Sequence, residues 1–387
     1  MKNPFFYAIC LCIIGCLSIG QYFIVVQTVG AICLLLTTFK ETKLLFKRFL
    51  TTNWSLVLFC LLICFSSFWS YYALAGEFKA LGAFKFSPLR GCLYAFVLFQ
   101  YYLAVESLIL HDKLGRVLDI LSLFVFLILF VQDIVILFIH TRLEDSADLY
   151  LIGDKFTITY LHLFYIALIS GVRKKTSYVL SFILIIITFI IAQKTFCSTG
   201  KVLSVLMYIL IILKPYLEKI LSSRTTLLLA IVLSILFAFF PTFVLEQNVI
   251  DHFVRDTLGE DYTVTGRVRI YEVLTQIVSQ SPWVGYGHRN SSFIVSAYIG
   301  FGNAQNGFLD TAVNYGIIGT LLIIFIALTC FNFAPHRKID GRTLMFVVVV
   351  YLMLIAATME TTINTLFLCI LPFLLTNNKC LYEAKQH

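Results

Sequence analysis

The sequence predicts an all-α polytopic membrane protein that crosses a bilayer about twelve times, with one large polar segment outside the cytoplasm. Three observations predict it. Hydrophobic residues make up 60% of the 387 and charged ones 13%, against roughly 25% charged in soluble domains, so a soluble fold could not cover this chain with polar surface. Apolar runs of membrane-helix length recur from end to end, which makes residues 1–387 a single membrane domain. The formal charge of +8 falls in short clusters between those runs (Lys40, Lys43, Lys47 and Arg48; Arg173, Lys174 and Lys175; Arg337, Lys338 and Arg342). That is the positive-inside pattern, not a basic face for nucleic acid.

A helix of about 20 apolar residues, or about 17 at the least, crosses the hydrocarbon core. Runs near that length lie at about 4–20, 21–39, 54–76, 91–110, 117–139, 156–172, 178–193, 200–217, 226–244, 307–331, 343–359 and 360–376. With the N-terminus inside, the cytoplasmic links are 40–53, 111–116, 173–177, 218–225, 332–342 and the tail from Asn377, and each carries Lys or Arg. The outer links include the acidic 140–155 and the long polar stretch 245–306 between spans nine and ten. Both termini are therefore expected in the cytoplasm. The outer link 77–90 breaks the rule with Lys79, Lys85 and Arg90 against Glu77; it either meets an anion or is a re-entrant loop with tolerated charge.

Nearly all of the eleven cysteines lie inside apolar runs, with Cys197 alone in an outer loop, so no disulfide framework is expected. No CxxC pair has a partner pair, and neither a metal nor another cofactor is expected. Glu106, Asp119, Asp133, Asp310 and Glu360 fall nearer helix ends than middles, which counts against the buried relay of a secondary transporter.

Function should concentrate in 245–306, a loop far longer than the links elsewhere. From Val268 to Val278, apolar residues at Val268, Tyr271, Leu274 and Val278, flanked by Ile270, Val273 and Ile277, repeat with helical period. That helix is expected to lie on the membrane surface with Glu272, Thr275 and Gln276 toward water. Ser281-Pro282 ends it, Trp283 is placed as an interfacial anchor, and Gly285-Tyr286-Gly287 makes a tight turn. Asn303-Ala304-Gln305-Asn306 then runs into the tenth span, whose N-terminal N–H groups favour an anion. Arg267, Arg269, His288 and Arg289 lie in the same segment, and guanidinium groups suit bidentate phosphate contact. Each residue also has a plainer reading. Arg267 serves equally as a solvated loop charge, Arg269 as a snorkelling residue, His288 as an ordinary loop histidine and Asn306 as a helix cap.

Thr265-Gly266-Arg267, Tyr271, Ser281-Pro282, Gly285-Tyr286-Gly287, Ala304-Gln305-Asn306-Gly307-Phe308-Leu309 and Asn314-Tyr315-Gly316-Ile317-Ile318-Gly319 together resemble the signature of the O-antigen polymerase and O-antigen ligase superfamily. In that pattern Gly-Arg is followed by an aromatic four residues on, Pro-x-x-Gly-x-Gly, His-Asn-x-x-Leu, and Gly-x-x-Gly in the next helix. The resemblance implies a GT-C-like membrane glycosyltransferase in the bacterial inner membrane, acting at its outer face on undecaprenyl-diphosphate-linked oligosaccharides. Polymerases move the growing chain onto a new lipid-linked repeat unit, and ligases move the finished chain onto lipid A-core. A flippase and a chain-length regulator are the protein partners this implies, and O-antigen or capsule the product. It also gives Arg267 a diphosphate-binding role with Arg269, Arg289, Arg90 and Lys201 or Lys194. Gln305 and Asn306 would orient the acceptor, with His288 as base.

Gln305 stands where the pattern most often has His. An amide positions a hydroxyl but cannot take its proton, so His288, Asp310 or Glu272 is left to do so, or no strong base is needed. The change weakens the ligase reading more than the polymerase reading. A transporter with the outer loop as a gate is the alternative from a different class.

Overall fold

The computed structural model describes residues 3–16, 23–39, 53–74, 87–139, 150–170, 175–239, 263–300, 302–331, 333, 339–363 and 365–378. Every regular element among them is a helix. In chain order they are α1 (Pro4–Cys16), α2 (Phe23–Thr38), α3 (Trp54–Trp69, running on through Ser70–Leu74), α4 (Pro88–Leu110), α5 (Leu114–Ile134, running on through Val135–Ile139), α6 (Lys155–Ser170), α7 (Lys175–Lys194), α8 (Ser198–Leu221) and α9 (Arg224–Phe239). The polar segment holds α10 (Thr263–Gln280) and α11 (Ser291–Ile299), and α12 (Gly307–Cys330), α13 (Gly341–Ala356) and α14 (Thr365–Ile370, with Leu371–Asn378 after it) complete the chain. Lys79, Lys85 and the stretch 240–262 lie outside the described residues.

Among the described residues, five helices are long and apolar enough to cross a membrane: Trp54–Ala73, Pro88–Leu110, Leu114–Phe138, Ser198–Leu221 and Gly307–Cys330. Seven shorter apolar helices of 10–17 residues occupy the other expected spans. Helices suit such a chain because lipid offers no partner to an open backbone N–H or C=O. α13 is buried from Thr343 to Leu354, although it contains four consecutive valines that are poor helix formers. It packs on α6 and α8, with α6 buried almost throughout. The outer helices expose the apolar residues a soluble protein would hide, among them Tyr178, Val179, Phe182, Ile183, Ile186 and Phe189 on α7. That sleeve of exposed apolar side chains marks a multi-pass membrane protein. Polar side chains turn inward and satisfy backbone groups: Gln27 Nε2 donates to the Ile14 carbonyl (3.1 Å) and the Tyr102 hydroxyl to Leu368 (2.9 Å).

Contacts at the helix ends test the alternation drawn from charge. At one end, Arg342 at the start of α13 donates to the carbonyls of Leu168 and Gly115 and pairs with Asp119 at 2.6 Å. There too Glu218, late in α8, accepts from the Ile339 N–H. At the opposite end, the Gly307 N–H at the start of α12 donates to Ala357 just after α13, and Gln132 late in α5 accepts from the Ile152 N–H before α6. His162 on α6 meets Asp133 on α5 at 3.2 Å. These contacts make α5 and α13 run in one direction and α6, α8 and α12 in the other.

Two expectations are corrected. The amphipathic helix α10 exposes Glu272, Thr275 and Gln276 as expected, but its apolar face does not lie on a membrane surface. Tyr271, Leu274 and Ile277 pack on Tyr286, Ile294, Val295, Ala304, Leu309 and Val313 of the same polar segment and α12. The span expected to reach residue 359 ends at Ala356, and 357–363 form a turn. Cys197 lies, as expected, in the link between α7 and α8, where it is buried as the N-cap of α8: its sulfur accepts the Gly200 N–H (3.3 Å) and burial pushes its thiol up to about 11.

Candidate active site

The site is organised by a break in α12. Gly316 has φ 67° and ψ −173°, which interrupts the helix one third of the way along. The carbonyls of Val313 and Asn314 and the N–H groups of Ile317 and Ile318 thereby lose their helical partners. The turn after α10 supplies replacements. The N–H groups of Tyr286 and Gly287 donate to Val313 and Asn314, both at 2.8 Å, and Ile317 and Ile318 donate to the carbonyls of Pro282 (2.7 Å) and Trp283 (3.3 Å). Turn 282–287 is therefore joined into the helix by four backbone bonds, which also removes four orphaned polar groups from a buried setting.

Two glycines make the joint possible. A Cβ on Gly285, which has φ 64°, would lie 2.6 Å from backbone atoms of Asn314, Tyr315 and Gly316. One on Gly316 would lie 2.3 Å from the carbonyl of Trp283. The Gly-x-Gly and Gly-x-x-Gly elements of the sequence are thus two sides of one contact.

The joint presents His288. Its N–H reaches Ser67 Oγ (3.4 Å) at the end of α3, its Nδ1 bonds the Tyr315 hydroxyl (2.5 Å), and its ring stacks on Tyr94 of α4 at 4.0 Å and 15°. Nε2 has no hydrogen-bond partner among the described residues. Burial first, then the charges of Arg289 and Arg90, holds the imidazole well below its ordinary pKa, so it stays neutral at physiological pH. Arg90, in the first turn of α4, and Arg289, at φ 59° in the turn, are close enough to act on each other electrostatically. Chain segments far apart in sequence thus bring two guanidinium groups to one neutral imidazole.

Behind them is a polar brace. Ser291 Oγ donates to Asp310 (2.6 Å), the Ser291 N–H donates to the Asn314 side chain (3.0 Å), and Asn314 Nδ2 donates back to Ser291 and Asp310. Asp310 is engaged in holding α11 and the Arg289 turn onto α12. Glu272, the other carboxylate offered as a base, is exposed on the far face of α10.

Gln305 and Asn306 lie beside this group and do different work. Asn306 is fully buried and caps α12, its Oδ1 accepting from Phe308 and Leu309 and its Nδ2 donating to the Thr358 carbonyl (3.2 Å). The geometry makes it a cap that offers no surface to an acceptor. Gln305 is half-buried at φ 49°, and its carbonyl accepts from the Tyr271 hydroxyl (2.8 Å), which also reaches Thr358 (3.0 Å). Arg267 and Arg269 belong to α10, Arg267 one helical turn before Tyr271; their side chains lie outside the described residues. Lys194 is exposed at the end of α7 and Lys201 half-buried in the first turn of α8, and no hydrogen bond or ion pair joins either to the Arg90–Arg289 pair.

Sequence reasoning missed Tyr94, Ser67, Ser291 and Thr358, and quoted Tyr315 within a motif without giving it a role. Their only signal was a polar or aromatic residue at the same end of an apolar run. Residues 158–324 match the model of a family described as O-antigen ligase. No curated protein matches the chain. The matched stretch contains the α12 break and its turn, whereas Ser67, Arg90, Tyr94 and Thr358 come from outside it.

Proposed function

We propose that this chain, whose residues 158–324 belong to the O-antigen polymerase and ligase superfamily, polymerises undecaprenyl-diphosphate-linked oligosaccharide repeat units at the outer face of the inner membrane. The observation that carries the reading is the joint at the α12 break, which sets His288 between Tyr315 and Tyr94 and within electrostatic reach of Arg90 and Arg289. The acceptor hydroxyl attacks the anomeric carbon of the donor sugar. A new glycosidic C–O bond forms, the anomeric C–O bond to phosphate breaks, and the lipid diphosphate leaves with the bonding pair. Two guanidinium groups meet the charge that builds on that leaving group. The acceptor proton goes to His288 Nε2, which an imidazole held neutral is free to accept. A bound diphosphate would offset the two positive charges and raise the basicity of His288 when it is needed. Arg267 and Arg269 of α10 are the further diphosphate-binding candidates, Lys201 and Lys194 mark the path of the lipid diphosphate, and Gln305 orients the acceptor.

The test uses purified protein in liposomes with lipid-linked repeat units, read as a ladder of polymer. Wild type makes the ladder. One charge-assisted phosphate contact contributes about 2–3 kcal/mol, so Arg289→Ala lowers kcat/KM about 30- to 150-fold. Arg289→Lys restores part of it. An unchanged rate in Arg289→Ala would sink the assignment, and failure of wild type to form any glycosidic bond would sink the enzyme reading in favour of a transporter. The description of the matching family favours a ligase instead; growth only on added lipid A-core would establish that outcome.

A further inference from the structure

At the end of the bundle opposite this site, α9 and α12 part to leave a groove lined by Arg224, Thr225, Leu228, Phe325, Leu328 and Thr329. Its walls are apolar and open to the outside: Leu228 is 44% exposed and Phe325 47%. Its polar end is built differently. Arg224 is the first residue of α9, and its Nε donates to the carbonyl of Phe331 (3.3 Å), just past the end of α12. That single bond fixes the guanidinium across the gap between two antiparallel helices. The two Nη atoms have no partner among the described residues. Thr225 and Thr329 line the same groove, and the Thr329 hydroxyl itself donates to the Phe325 carbonyl. No acidic side chain lines the groove.

We infer that this groove is a binding site for an anionic phospholipid, its phosphate on Arg224 and one acyl chain along Leu228, Phe325 and Leu328. The occupant is chosen by charge complementarity and by shape. A guanidinium fork anchored through Nε keeps both Nη groups for two phosphate oxygens. The apolar wall of Leu228, Phe325 and Leu328 beside that fork, about one helical turn long, offers contact to an acyl segment, which a free phosphate does not have. Basic pockets between membrane helices select anionic headgroups in this way. A merely snorkelling arginine would project away from the bundle toward the headgroup layer, whereas Arg224 is tied across it to the α12 terminus.

Trp54 provides a local probe, since its ring lies 6.1 Å from that of Phe325. The experiment uses the full chain with Trp69→Phe and Trp283→Phe, which leaves Trp54 as the only tryptophan. The protein is placed in nanodiscs of phosphatidylcholine doped with phosphatidylglycerol brominated on its acyl chains, with brominated phosphatidylcholine as the control. A bromine quenches indole only at near contact. Brominated phosphatidylglycerol is expected to quench Trp54 at a mole fraction at least about tenfold lower than brominated phosphatidylcholine, as one charge-assisted contact allows. Arg224→Gln is expected to abolish that preference while size-exclusion profile and thermal midpoint stay at wild-type values. Leu228→Trp is avoided because it adds a fluorophore; Leu228→Asp is the second variant and should weaken quenching by both lipids. Equal quenching by the two lipids in wild type, or an unchanged preference in Arg224→Gln, overturns the inference. Relief of quenching by millimolar inorganic phosphate to the phosphatidylcholine level also overturns it, because the groove would then bind an anion without using the acyl chain.

Discussion

Replacing Gly316 by alanine should detach the turn that carries His288. At φ 67° and ψ −173° the backbone there is open only to glycine, and a side chain in such a region costs about 1–3 kcal/mol. The added Cβ would also lie 2.3 Å from both the carbon and the oxygen of the Trp283 carbonyl and 2.5 Å from the Val284 nitrogen. These are backbone atoms and cannot rotate away, so turn 282–287 must retreat. Its retreat breaks the bonds from Ile317 and Ile318 to Pro282 and Trp283, each worth about 1 kcal/mol. The sum is about 3–5 kcal/mol against the joined state, which lowers its equilibrium constant by at least about a hundredfold. The control is Gly300→Ala. Gly300 also has positive φ (74°), but its Cβ would meet nothing within 4 Å, so strain of about 1–2 kcal/mol is its whole effect. Transfer measured in liposomes should fall at least about a hundredfold in Gly316→Ala and less than about tenfold in Gly300→Ala, with both proteins inserted normally. Equal losses in the two variants, or full activity in Gly316→Ala, would refute the reasoning that the joint positions the histidine.

His288 should also leave a mark on stability. Its folded pKa lies below the unfolded value, so its contribution is complete above about 6.5 and is lost as pH falls, at up to about 1.4 kcal/mol per pH unit. His288→Gln should flatten the fall in thermal midpoint between pH 6.5 and 5, and a slope identical to wild type would contradict the burial of a neutral imidazole. Tyr315→Phe removes the bond to Nδ1 and keeps the ring, so kcat should drop about tenfold with KM unchanged and the acid limb of the pH profile displaced; a pure KM effect would show that Tyr315 only packs. Asn306→Ala should lower stability by about 0.5–2 kcal/mol as a lost cap, and Asn306→Asp less, since a carboxylate still accepts from Phe308 and Leu309. If Asn306→Asp is stable yet inactive, the side chain acts on the substrate and the capping account fails.

The helices were legible because lipid and protein interior ask the same thing of a run of residues, and the expected boundaries fall within a few residues of α3, α5, α7 and α12. Charge placement gave the alternation, and the spacing of Tyr271, Leu274 and Ile277 gave the buried face of α10. What periodicity could not give was the partner of that face. An apolar stripe reads the same whether it meets lipid or Leu309 and Val313. The break in α12 was hidden for a similar reason: Ile317 and Ile318 resume the apolar run directly after Gly316, so hydropathy passes over it. Asn314 and Gly316 inside that run were the available signal. Thr358 was assigned to a span because nothing local marks the end of α13; its role comes from Tyr271 and Asn306, distant in sequence.

Five residues of positive φ share a place, apart from Asp112 and Phe196 in the turns after α4 and α7. Gly285, Gly287, Arg289, Gln305 and Gly316 all have φ between 49° and 88°, and all belong to the turn system on α12. For arginine and glutamine such a conformation persists only when neighbours over-determine it. Here the neighbours are identified: four backbone bonds across the α12 break, the Asp310–Ser291–Asn314 brace, and the Tyr271 and Asn306 bonds to Thr358. Each bond ties the polar segment to a membrane helix or to the turn that follows one, rather than to itself. A loop held that way cannot move independently of the bundle, so Arg289 and His288 keep a fixed distance from Arg90 and Tyr94 on α4. The proposed group transfer between two lipid-linked substrates requires such fixity, because both must meet in one geometry at the site.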